Sequence, residues 1–285
     1  MQLPPQGRQL FPEYRTMPLP TTDFFNRVLS GPYDALCRTP QAAAHLSGTF
    51  RYDGVQLEDG DAFELFGVVM SSREAAQLLM VFDGARVHAQ DQYGYGDDDA
   101  PPGTYFTTIH PNLVHEGHKN RVGIYDEQGT GEALFLDDVL ADDGDDDEFP
   151  AEEIGPPRAV HVDHFYLRHQ APEGLGTVAF ALCAMTAHRM GYTRISLIAG
   201  GGRGHARHMI GYFVWPKLGF DAPLDHGETD GRVDLAGCLT VQDVIAIDEA
   251  WWRENGSQRL MEFDLGADSR CWEKLLDYLQ QKELI

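Results

Sequence analysis

The chain has 285 residues, 42% of them apolar, enough for a sizeable core in one large domain or in a core with elaborations. No run of about 18 uninterrupted apolar residues occurs, so no membrane-spanning helix, and no membrane partner, is expected. Forty-five acidic against 22 basic residues leave a net charge of −23, which repels nucleic-acid phosphates and attracts cationic amines, metal ions or basic proteins.

Residues 1–20 are rich in proline and polar side chains, lack the apolar stretch of a secretory signal, and read as a flexible arm. Helices are predicted over Thr22–Leu29 and Pro40–Leu46, with Gly31-Pro32 as a break between them. Ala62–Met70 reads as one strand, and Ser71 with Glu74 has the spacing of a capping box that opens a helix through Leu79. Strands follow at Ala85–Gln90 and Thr104–Ile109, so 21–110 is an N-terminal α/β region whose independence the sequence leaves open.

Arg121–Asp126 and Glu132–Leu136 flank a Gly-containing turn and are expected to form a hairpin. The stretch 137–157 is dominated by carboxylates, closes on prolines, and reads as a solvated insertion in a core spanning 111–224. Val160–Leu167 is a strong strand candidate, followed by a helix over Thr177–Met190 that stops at Gly191. A strand at Arg194–Ala199, a glycine-rich loop and a helix over Ala206–Lys217 come next. Thr240–Glu254 and Ser269–Gln281 make 225–285 a C-terminal helical extension, with Trp251, Trp252, Phe263 and Trp272 as core or docking aromatics. The alternation of strands and helices implies an α/β (α+β) fold with a partly parallel sheet. Cys37, Cys183, Cys238 and Cys271 form no CxxC pair, which fits a reducing, cytoplasmic compartment rather than a disulfide framework or zinc knuckle.

The central motif is a strand that leads through Glu173-Gly174-Leu175-Gly176-Thr177 directly into a helix. Amides at a helix N-terminus point outward, the helix dipole adds about half a positive charge there, and glycines let a pyrophosphate approach the main chain. With the Lys217-Leu218-Gly219-Phe220 ending, the run from His161 to Asp221 resembles the core of the GCN5-related N-acetyltransferase (GNAT) family. The likeness covers about 60 residues of 285 and implies a GNAT-like mixed sheet with flanking helices, elaborated at both termini.

The resemblance also implies acetyl-CoA as cofactor, with the main chain of Phe165, Tyr166 and Leu167 on its pantetheine arm. The amides of Gly174, Leu175, Gly176 and Thr177 would hold its pyrophosphate. Two positions depart from the family pattern. Ala171 replaces a Gln or Arg, and Trp215 stands where a tyrosine often protonates the leaving thiolate, a task an indole cannot perform. Tyr212, one helical turn earlier, is the substitute donor, and Asp163 or His164 the candidate base. Strand alternation would put His161 and Asp163 on one face and His164 and Tyr166 on the other.

His110, His115, Glu116 and His118 match no zinc-binding spacing, so no metal is expected. Arg203, Arg207 and His208 form the most basic patch, either facing water or meeting an anionic group. The functional expectation is N-acetyl transfer to a cationic amine, on a protein or a small molecule. The alternatives are a catalytically decayed GNAT fold that engages a basic protein, and an acidic mimic of nucleic acid. The segments around Trp251 and Trp272 also resemble domains of large phage or secreted-toxin-type proteins, which is compatible with an effector delivered without a signal peptide. Oligomeric state and acceptor are not legible.

Overall fold

The structure, a computed structural model, describes residues 21–96, 99–117, 119–127, 157–205 and 209–285. The arm 1–20, the strand expected at 132–136, residues 137–156 of the acidic insertion, His118, Arg207 and His208 lie outside the described residues.

A π-helical turn, Phe25–Leu29, runs into α1 (Ser30–Cys37), and a Thr39 cap opens α2 (Pro40–His45). The break expected at Gly31-Pro32 does not occur: the π-helical turn passes directly into α1, and Pro32 lies within one continuous helical run, just after that irregular turn. The short strands β1 (Phe50–Tyr52) and β2 (Val55–Leu57) follow. Where one strand is predicted there are two, β3 (Ala62–Leu65) and β4 (Val68–Ser71). Phe66 and Gly67, at φ 49° and 78°, turn the chain between them as a two-residue hairpin loop. The capping box at Ser71 and Glu74 is present and opens α3 (Ser72–Leu78).

Then come β5 (Arg86–Gln92), β6 (Gly103–Ile109), β7 (Asn120–Asp126), β8 (Arg158–His164), α4 (Leu175–Arg189), β9 (Arg194–Gly202) and α5 (Gly211–Lys217). The chain ends with α6 (Val241–Asn255), β10 (Ser257–Asp264) and α7 (Arg270–Gln281). β10 corrects the reading of 225–285 as purely helical. It pairs antiparallel with β9 and buries Met261 and Phe263 while Leu260 and Glu262 stay exposed.

The result is a mixed α/β architecture: an eight-stranded sheet in the order β10-β9-β8-β7-β6-β5-β1-β2, with flanking helices. Among the described residues only β1–β5 and β8–β9 pair in parallel. α4 is buried around nearly its whole circumference, as expected of a central helix packed by α1, α2 and α3. Phe180 of α4, Trp215 of α5, Phe220, Phe263 of β10 and Trp272 of α7 form an aromatic nest with neighbouring centroids 5.0–5.7 Å apart.

On the opposite sheet face Tyr105 lies flat over Gly123, its hydroxyl donating to the Pro101 carbonyl at 2.6 Å and the Arg121 guanidinium 3.9 Å above its ring. A methyl group on Gly123 would overlap that fully buried ring. Gly123→Ala is expected to cost about 1–3 kcal/mol in urea unfolding through overpacking; an unchanged midpoint would show that the ring can move.

Candidate functional site between the parting strands

β8 and β9 pair through three registers only, Val160–Ile195, His161–Ser196 and Val162–Leu197. Both strands continue beyond this, to His164 and Gly202, paired on their outer sides with β7 and β10 but not with each other. A cavity of about 520 Å³ opens where they part, within the range of small-molecule sites. Its walls are chiefly apolar, from Phe165, Leu197, Ile198, Val214 and Trp215, and Gly174, Gly176 and Thr177 also line it.

Two features accompany the parting. β8 carries a bulge at Asp163, since Arg121 of β7 faces His164 while Val122 faces Val162. On the other side, residues 209–211 pack main chain to main chain against the end of β9. A Cβ on Gly211 would stand 2.9 Å from the Gly200 nitrogen, and Ile210 bridges to Gly201. The run Gly200–Gly202, expected as a loop, is therefore the end of a strand whose missing side chains admit this contact.

The bulge also overturns the simple alternation expected along β8. It puts Asp163 and His164 on the same side, with His164 Nδ1 3.1 Å from Asp163 Oδ2. Arg121 completes the cluster at 2.5 Å from the same oxygen, while its other arm donates to Gln92 Oε1 at 2.8 Å. Burial alone would raise the Asp163 carboxyl, but hydrogen bonds from His164 and Arg121 outweigh it and hold the group below the usual carboxylate range. Because a carboxylate only accepts, the Nδ1 of His164 carries a proton.

Beyond the bulge the main chain alternates in direction. The Tyr166 N–H donates to Asn120 Oδ1 and its carbonyl accepts from the His115 N–H, while the Arg168 N–H donates to the Leu113 carbonyl. Phe165 and Leu167 thus turn their peptide groups toward the gap, where no described residue partners them. Phe165, Tyr166 and Leu167, all expected at the site, line the cavity.

Of the four amides expected in the glycine turn, Gly174, Gly176 and Thr177 line the cavity. Leu175 does not: its side chain is buried in the core and its N–H donates to the Pro172 carbonyl at 3.1 Å. Gly176 packs under Phe165, whose ring carbon would stand 3.3 Å from a Cβ there.

Tyr212 is not brought to the cavity. Gly211, Val214, Trp215 and Leu218 form the face of α5 that lines it, whereas the Tyr212 hydroxyl donates to the Arg253 carbonyl at 2.6 Å. Trp215 is both cavity wall and member of the aromatic nest. His110 and His115 build turns: His110 Nδ1 accepts from the Asn112 and Leu113 amides and its Nε2 meets the Asp83 carbonyl, and His115 Nδ1 accepts from the Gly117 amide. No cluster of three or more potential metal-ligating side chains occurs among the described residues. Nor is any helix among them long and apolar enough to cross a membrane.

Sequence reasoning missed Arg121 and Gln41, which reach the site across 42 and 132 residues of chain respectively, separations that no local pattern reports. Comparison of the chain with protein families, curated proteins and solved structures finds no match.

Behind the cluster, buried His161 bonds Ser196 Oγ through Nδ1 at 2.9 Å, and burial lowers its pKa from 6.5 to about 4. The folded state thus binds this proton less readily than the unfolded chain. The stability it contributes is complete above about pH 6.5 and is lost as pH falls toward about 4. Denaturant unfolding of wild type and His161→Asn between pH 4 and 8 should show a shallower acid loss in the variant; identical slopes would mean that His161 is protonated at no cost.

Proposed function

We propose that this chain is an N-acetyltransferase of the GNAT kind, using acetyl-CoA and acting on a cationic primary amine. The observation that carries the reading is the parallel pair β8–β9, which is hydrogen-bonded for three registers and then parts around a cavity while both strands continue. The edge groups of Phe165 and Leu167 suit the amide-bearing pantetheine arm, which can add to a strand edge by main-chain hydrogen bonds. The apolar walls suit its alkyl segments. Gly174, Gly176 and Thr177, at the positive end of the 15-residue helix α4, suit a pyrophosphate.

Acetyl-CoA, when bound, supplies the acetyl group as an activated thioester. The chain's own work is to move a proton. Asp163 is a poor base, because its carboxylate is held ionised and doubly engaged. It serves instead to fix the His164 tautomer; once the ammonium has lost its first proton to solvent, Nε2 takes the second from the acceptor nitrogen as the C–N bond forms and the C–S bond breaks. The imidazolium so made is the acid that can return the proton to the leaving sulfur, a role for which Tyr212 is turned away and Trp215 chemically unsuited. The excess of negative charge draws a cationic acceptor toward the protein.

The engagement of Tyr212 and the indole of Trp215 favour a second reading, a cofactor-binding module without turnover that engages a basic partner. Calorimetry combined with a thiol-release assay separates the two. The enzyme reading predicts acetyl-CoA binding in the micromolar range and CoA release with primary amines. His164→Gln should slow that release about 10²–10⁴-fold with a far smaller effect on binding. Binding without release for any amine would favour the module, and no binding by the folded chain would reject both.

A further inference from the structure

The segment Pro172–Leu175 is a β-turn closed by the Leu175 N–H on the Pro172 carbonyl. Gly174, its third residue, has φ 77° and ψ −6°, and Glu173, its second, is not among the residues with positive φ. These are the torsions of a type II turn. A type I turn differs from it chiefly by a flip of the central peptide, which here joins the Glu173 carbonyl to the Gly174 N–H. The two groups of a trans peptide point in opposite directions, so whatever holds the carbonyl also aims the amide.

The Glu173 carbonyl is held from outside the turn. Gln41, on α2, donates to it from Nε2 at 2.9 Å. Gln41 does not line the cavity, whereas Gly174 does. We propose that Gln41 is a positioning residue that latches the Glu173–Gly174 peptide in its type II orientation and so presents the Gly174 N–H to the pyrophosphate of the acyl donor. Without the latch the peptide is free to flip, putting a carbonyl oxygen where an anion must sit. The inference rests on the cofactor reading above. It also gives the N-terminal helices a task in the site, although no sequence motif connects them to the glycine turn.

The test compares acetyl-CoA with S-acetylpantetheine, which keeps the thioester and arm but lacks the pyrophosphate. Both are titrated calorimetrically into the full chain carrying Gln41→Ala, or Gln41→Glu as a near-isosteric change that removes the donor. Both variants should bind acetyl-CoA about tenfold more weakly and S-acetylpantetheine as wild type does. Unchanged acetyl-CoA affinity in folded variants would overturn the latch while leaving the cofactor reading standing. So would an equal loss for both ligands, which marks a general structural effect. If the wild-type chain binds neither ligand, the cofactor reading falls and the latch falls with it.

Discussion

The hydrogen-bonded ladder between β8 and β9 ends after Val162 and Leu197, and the site's architecture follows from that arrest. An abandoned ladder is costly: each buried main-chain group left without a partner forfeits about 1–3 kcal/mol. The structure sustains the separation from both sides. On β8 a bulge at Asp163 interrupts the β7–β8 register just past the last β8–β9 pair, and on β9 the glycines 200–202 accept the main chain of residues 209–211. The space between is walled by side chains that are themselves part of the core, Trp215 foremost, so the gap cannot close without dismantling the aromatic nest.

The polar cluster at the gap follows from the same irregularity. In a regular strand Asp163 and His164 would face opposite ways; the extra residue brings them to one side, and Arg121 joins from the neighbouring strand. Arg121 is in turn held over Tyr105, which requires the bare backbone of Gly123 beneath it. A local departure from strand geometry is thus tied through one guanidinium to the packing of the far sheet face.

Much of this was legible in residues 157–221. The strand–glycine–helix–strand order was read close to the observed bounds, because β-branched runs, the Gly174 turn and the Gly191 stop are local signals. Asp163, His164, Gly174 and Gly176 are candidates from sequence, whereas Gly200 and Gly211, which also line the cavity, are not. The misreadings have physical causes. β1 and β2, three residues each, are too short to show a period. The Phe66-Gly67 turn sits inside an apolar run. A bulge leaves no mark in a linear alternation, so the shared side of Asp163 and His164 was invisible. Tyr212 faces away from the cavity because its orientation is set by α6, through the Arg253 carbonyl and by the Trp252 indole donating to the Tyr212 carbonyl.

The central claim is that the main chain exposed by the parting of β8 and β9 grips a coenzyme A thioester. Hydrogen exchange resolved to single amides, with and without saturating coenzyme A, tests it most directly. The account predicts new protection at Phe165, Leu167, Gly174, Gly176 and Thr177. Leu175, already bonded to the Pro172 carbonyl, should be unaffected. Protection confined to other parts of the chain, or none at all, would contradict it.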